Sequence, residues 1–204
     1  MYEVEVKVRA DHDDVRDRLA ELGAEPINEV AQEDTYYDAP HRDFAETDEA
    51  LRVRRERPKV RQERPESRDE SERRDDSEGE EAFAELTYKG PLVEAESKTR
   101  REVETRVEDG AAADAILDAL GFAPAATVRK ERERFALDDY TVTLDSVEGL
   151  GEFVEVETET EEDDEALKAA RKEAYEILRD LGLNPDDQIR TSYLGLHLEQ
   201  NSEE

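Results

Sequence analysis

Apolar and charged residues alternate one for one where the chain begins, Tyr2-Glu3-Val4-Glu5-Val6-Lys7-Val8, which is the period of a half-buried β-strand. The same alternation returns along the chain and predicts strands over 1–9, 33–38, 49–55, 83–89, 99–107, 127–136, 140–146 and 152–160. Helical periodicity falls between them. Asp11 can cap a helix through 22, with Val15, Leu19 and Leu22 on one face and Gly23 as its stop. A second helix is expected over 110–120, with Ile116, Leu117 and Leu120 before Gly121. A third spans 163–181, with Leu167, Ala170, Ala174, Ile177, Leu178 and Leu181 before Gly182, and a short terminal helix over 191–199 would set Tyr193, Leu194 and Leu198 against the body.

The order carries a hint of an internal repeat. Glu3-Val-Glu5, Glu102-Val-Glu104 and Glu155-Val-Glu157 each precede a helix that ends Leu-x-x-Leu-Gly. Strands with antiparallel connections and few helices predict an α+β chain whose sheet closes, or nearly closes, into a barrel rather than a layered parallel sheet. Residues 56–82 stand apart. Apart from Val60, Gly79 and Ala82, the stretch is Arg, Lys, Glu, Asp, Ser, Pro and Gln, which predicts a disordered acidic insertion joining two strands of a hairpin.

One face of each strand is apolar and the other ionic. Glu3, Glu5 and Lys7 oppose Val4, Val6 and Val8, and Arg52 and Arg54 oppose Leu51 and Val53. Glu102 and Glu104 oppose Val103, Asp145 opposes Val142-x-Leu144, and Glu155 and Glu157 oppose Val154 and Val156. Lys130 and Arg132 add a basic pair on a strand whose other face is also charged. Two arrangements satisfy this pattern: a plain solvent-facing sheet, or a water-filled barrel interior with helices outside. The second crowds carboxylates among cations, which is costly unless a ligand supplies complementary charge. A polyphosphate with a divalent metal would do so, because carboxylate oxygens suit Mg²⁺ or Mn²⁺ and Lys/Arg clamp phosphate oxygens.

Composition narrows the classes. The chain has 204 residues, enough for one domain with a sizeable core. Its net charge is −30 with 43% charged residues, and arginine outnumbers lysine 22 to 7. The regular periodic segments argue for a folded domain with a hyperacidic, halophilic surface, since the Debye length shrinks to about 3 Å at 1 M salt and mutes self-repulsion. That charge argues against general binding to nucleic acid or anionic membrane. There is no cysteine, so no disulfide or thiolate site. No basic n-region with an apolar run opens the sequence, which predicts a cytoplasmic, soluble protein.

Competing chemistries lack their motifs. The sequence has neither a Gly-rich P-loop nor a Rossmann fingerprint, and no serine in a nucleophile elbow. His12, His41 and His197 are scattered, so zinc is not expected and each reads as a surface or loop residue. Gly149-Leu-Gly151 reads as a hairpin turn.

Glu3-x-Glu5-x-Lys7, Asp34-Thr-Tyr-Tyr-Asp38-Ala-Pro40 and Ala50-Leu-Arg52-Val-Arg54 together resemble the CYTH domain. Leu86-Thr-Tyr-Lys89-Gly-Pro91, Arg101-Glu-Val-Glu104, Val128-x-Lys130-x-Arg132, Leu144-Asp145-x-Val147-x-Gly-Leu-Gly151 and Phe153-Val-Glu155-Val-Glu157 continue the resemblance in order. It covers nearly the whole chain, so 1–204 reads as a single domain, and the insertion departs from the family pattern. These are the triphosphate tunnel metalloenzymes, which include class IV adenylate cyclases and thiamine or inorganic triphosphatases. Thr191-Ser-Tyr193-Leu looks closer to the cyclase branch.

The resemblance implies an eight-stranded antiparallel tunnel holding a small-molecule triphosphate, ATP or tripolyphosphate. By position, Lys7, Arg52, Arg54, Lys89, Lys130 and Arg132 would grip phosphates. Glu3, Glu5, Glu104, Asp145, Glu155 and Glu157 would hold one or two Mg²⁺ or Mn²⁺ ions, with Glu102 a lesser candidate. Two reactions are expected of such a site, cyclisation of ATP to cyclic AMP and pyrophosphate, or hydrolysis of tripolyphosphate, a nucleoside triphosphate or thiamine triphosphate. Lys89 is the candidate base for hydrolysis, if neighbouring cations depress its pKa. A non-catalytic polyphosphate-binding module is the third reading, and a homodimer, found among such relatives, is left open.

Overall fold

The protein is described by a computed structural model covering residues 2–59, 82–92, 99–161 and 163–202. Eight antiparallel strands close into a barrel: β1 (Tyr2–Arg9), β2 (Glu25–Asp38), β3 (Ala50–Pro58), β4 (Phe83–Leu92), β5 (Arg100–Val107), β6 (Ala123–Leu137), β7 (Tyr140–Val147) and β8 (Gly151–Thr160). Around the barrel the order is β1-β5-β4-β3-β2-β6-β7-β8. The seam between β1 and β5 is short, with Tyr2 opposite Arg101 and Glu3 opposite Arg100.

The helices are α1 (His12–Leu22), α2 (Phe44–Thr47), α3 (Gly110–Ala119), α4 (Asp164–Asp180) and α5 (Tyr193–Ser202), with a 3-10 turn at Pro185–Asp187. The side chain of Asp11 accepts from Asp13 N, and Gly23 ends α1 at φ 76°, a left-handed conformation that costs glycine little. Asp109 and Asp163 cap α3 and α4 in the same way.

The placement of the two strand faces decides between a plain sheet and a tunnel. Val6, Val8, Val142, Leu144, Val154 and Val156 point out of the barrel and form a core with Val15 and Leu19 of α1 and Ala174, Ile177 and Leu178 of α4. On the opposite side Tyr37 and Val53 pack under Leu117 of α3. The ionic residues that alternate with these point inward. The apolar core is therefore a shell between barrel and helices, and burying its outward faces is what drives the sheet to close. A third apolar cluster, Tyr36, Val128, Val147 and Phe153 with Tyr193 of α5, stops one end of the interior.

Some expectations need correction. β2 begins at Glu25 and β6 at Ala123, earlier than alternation shows, because the start of each pairs with the end of the other, Glu25 with Ala136 and Ala123 with Asp38, across irregular register at Pro26/Asn28 and Tyr36/Tyr37. β3 continues to Pro58, so 56–58 belongs to the sheet rather than to the insertion; Glu56 is buried and accepts from Gln32 and Arg134. Residues 60–81 of the expected insertion lie outside the described residues. His12 is not a surface residue: it is buried, and its ring Nε2 donates to the Phe153 carbonyl oxygen at 3.0 Å. On α3 only Leu117 of the expected apolar trio is buried, while Ile116 and Leu120 are exposed. No helix among the described residues is long and apolar enough to cross a membrane.

Candidate functional site

The barrel interior holds a cavity of about 390 Å³, lined by side chains from all strands but β7 and by the start of α5. Its walls are ionic almost throughout. Among the sequence-predicted residues, Glu3, Glu5, Arg52, Arg54, Lys89, Glu102, Glu104, Lys130, Arg132, Glu155 and Glu157 line it.

The cations come together at mid-barrel. Arg54 makes a two-point pair with Asp34, Nε to Oδ1 at 2.7 Å and Nη2 to Oδ2 at 2.8 Å. Arg52 Nη1 stands 3.6 Å from the same carboxylate and Lys130 Nζ 4.0 Å from it. Burial opposes the Asp34 charge, but Arg54 and Arg52 override it and hold its pKa well below the usual carboxylate range. Arg132 donates its Nε to Asp145 at 2.6 Å and its Nη2 to Glu155 at 2.6 Å. Lys130 is pushed down to about 8, chiefly by burial and by the neighbouring Arg132 guanidinium, although Asp145 pulls the other way. Its Nζ is 3.5 Å from Asp145.

The six expected metal ligands do not form one set. Glu3, Glu5 and Glu157 do converge, offering three carboxylate oxygens that all lie within 4.8 Å of one another. Register places them there, since Glu5 is opposite Glu157 on neighbouring strands. Burial and the nearby Glu3 carboxylate raise Glu157 to about 8. Such a trio fits a hard divalent cation, whose charge would relieve the crowding that raises Glu157. Asp145 and Glu155 are instead engaged by Arg132. Glu104 stands on β5, where burial and then Glu85 raise its pKa.

Two lysines sit differently from expectation. Lys7 is buried behind α5: its Nζ donates to the Thr191 carbonyl oxygen at 2.8 Å and lies 4.0 Å from the centroid of the Tyr193 ring. Lys89 Nζ is held by Glu102 and lies 3.7 Å from Glu3. Its charged partners are carboxylates, so the cationic surroundings that a general base would require are found at Lys130 instead.

Sequence reasoning missed several inward residues. Asp34, Gln32, Glu56, Arg100 and Arg134 are inside, with Arg134 reaching Glu56 at 3.0 Å and Asn28 Oδ1 at 3.0 Å. Asp34 had a signal, being opposite Arg54 once β2 and β3 are put in register. Among the described residues, the buried side-chain atoms without a hydrogen-bond partner are Gln32 Oε1, Arg52 Nε, Thr87 Oγ1, Thr143 Oγ1 and Tyr193 OH. Of these residues, Arg52 and Tyr193 line the cavity.

A family model described as the CYTH domain matches residues 1–193, and the chain belongs to that family. It is 38% identical over 197 residues to the Methanocaldococcus jannaschii protein named "Putative adenylate cyclase MJ0240", covering 96% of this chain and 98% of that one. It is 29% identical over 195 residues to "Adenylate cyclase CyaB" of Aeromonas hydrophila, covering 94% of this chain and 86% of that one. The solved structure of the PH1819 protein from Pyrococcus horikoshii OT3 superposes with a TM-score of 0.81 at 38% identity, covering 97% of this chain and 99% of that chain.

Proposed function

We propose that this protein binds a triphosphate together with Mg²⁺ or Mn²⁺ in the tunnel and converts ATP to cyclic AMP and pyrophosphate. The observation that carries this reading is the adjacency of the Glu3, Glu5 and Glu157 carboxylates to the interior cations Arg52, Arg54, Lys130 and Arg132. The similarity to adenylate cyclase-named relatives supports the choice of reaction. A divalent ion held by those three carboxylates would supply charge neutralisation and polarisation of the phosphate oxygens.

The chain's own groups do the rest. Arg54 is fixed by its two-point pair with Asp34, and Arg132 by Asp145 and Glu155, so their guanidinium groups are positioned before substrate arrives. They would hold the phosphates so that the ribose 3′-hydroxyl faces the α-phosphorus. A bond forms between that oxygen and the α-phosphorus, the hydroxyl proton passes to solvent or to the departing group, the bond to the bridging oxygen of the β-phosphate breaks, and pyrophosphate departs with its charge balanced by the lysines and arginines. The apolar cluster around Phe153 and Tyr193 keeps bulk water from that end of the interior.

A second reading, hydrolysis of tripolyphosphate or another triphosphate, is favoured by the lining itself. Charged side chains make up most of the wall, so recognition rests on phosphates more than on a base. Purified protein incubated with Mn²⁺ and ATP or tripolyphosphate separates the two. Cyclic AMP with pyrophosphate is the expected outcome. Orthophosphate without cyclic nucleotide would replace it with the hydrolytic reading, and binding without turnover of either would leave a polyphosphate-binding module.

A further inference from the structure

Tyr193 opens α5, and its ring is packed on three sides. It meets Phe153 edge-on at 5.0 Å between centroids, and the ammonium groups of Lys7 and Lys130 lie 4.0 and 4.9 Å from its own centroid. The residue is 6% exposed, yet its hydroxyl has no hydrogen-bond partner among the described residues. A buried phenol normally finds one, since leaving it without a partner costs free energy that the ring's burial must offset. Tyr193 is one of the cavity-lining residues, and its hydroxyl feels the charges of Glu155, Asp145 and Arg132. A tyrosine serving only as an apolar stopper would do as well as phenylalanine, which needs no partner.

We infer that the Tyr193 hydroxyl is a substrate-binding donor: it gives its proton in a hydrogen bond to a phosphate oxygen of the bound triphosphate, beside Lys7 and Lys130. This rests on the reading of the tunnel as a triphosphate site and extends it to α5. The terminal helix is then part of the binding wall as well as its closure. A phosphate oxygen is the acceptor that suits the place, because the two ammonium groups against the ring favour an anion there. The chemistry is shared by ATP and tripolyphosphate, so either reports on it. The ring's contacts with Lys7, Lys130 and Phe153 survive when the oxygen alone is removed, which makes Tyr193→Phe the clean variant.

The test is titration calorimetry of tripolyphosphate with Mn²⁺ into wild type and Y193F, alongside thermal unfolding of both without ligand. The expected result is about tenfold weaker binding by Y193F, the loss of one hydrogen bond to a charged group. Its ligand-free Tm should be equal to or above that of wild type, because an unsatisfied buried hydroxyl has been removed. Equal affinities overturn the assignment while leaving the tunnel reading intact. A lower Tm for Y193F also overturns it, since the hydroxyl would then be satisfied within the protein. If wild type itself fails to bind tripolyphosphate, the tunnel reading falls and this inference falls with it.

Discussion

Arg54 and Asp34 face each other across β2 and β3 and share two hydrogen bonds, at 2.7 and 2.8 Å, with Asp34 only 1% exposed. The carboxylate also stands against Arg52, and against Lys130, which Asp145 approaches more closely. Removing it leaves the Arg54 guanidinium without its two-point partner. Asp34→Asn should destabilise the ligand-free protein by about 3–5 kcal/mol, the cost of breaking a buried pair. Tripolyphosphate should then restore more Tm in the variant than it adds to wild type, because the ligand replaces the missing charge. Thermal unfolding with and without tripolyphosphate checks both statements; equal ligand shifts would count against the ligand lying beside this pair.

A divalent ion held at the proposed Glu3, Glu5 and Glu157 trio should bind in a pH-dependent way because of Glu157. Its pKa rises from an ordinary 4.5 to about 8 in the fold. The stability it contributes is therefore present below about 4.5 and is lost as pH rises through about 8. Metal-free protein should lose stability over that window, and Mn²⁺ bound at pH 7 should release protons. Calorimetry in two buffers of different ionisation enthalpy measures the release, and Glu157→Gln should abolish it while flattening the pH profile. Metal uptake with no proton release would place the ion elsewhere.

Lys130 has the opposite sign. Its pKa falls from 10.5 to about 8, so its unfavourable term is felt as pH drops below the unfolded value and grows through about 8. A triphosphate beside it favours the ammonium, so binding near pH 9 should take up a proton. The same two-buffer comparison, made with tripolyphosphate, measures the uptake, and Lys130→Met should remove it.

Lys89 is set between Glu102 and Glu3 rather than among cations. If it orients charge and does not move a proton, Lys89→Arg should keep kcat within about tenfold of wild type, whereas loss of a general base costs roughly 10²–10⁴. A loss in that larger range would return Lys89 to the role of base.

Much of this architecture was readable in the chain because its alternation contrasts apolar with ionic residues. That contrast marks strand faces even in a protein of charge −30. What the pattern could not say was which face points inward. Helices with apolar stripes had to cover the valine faces, and this turned the ionic faces toward the axis. Glu56 falls in the expected insertion because its polar composition extends back into β3, ahead of the strand's true end at Pro58. Asp34 was overlooked because its importance lies in cross-strand register, which one strand does not display. The split of the carboxylates into a trio at Glu3, Glu5 and Glu157 and an arginine-bound pair at Asp145 and Glu155 also depends on register. The orphan hydroxyl of Tyr193 needs coordinates to be seen at all.

The central claim is that the interior charges exist to hold a metal–triphosphate pair. Crystals grown with Mn²⁺ and tripolyphosphate, measured at a wavelength where manganese scatters anomalously, test it most directly. An anomalous peak is expected among the Glu3, Glu5 and Glu157 carboxylates, with phosphate density against Arg52, Arg54 and Arg132. Manganese bound on the outer surface, with no phosphate inside the barrel, would contradict it.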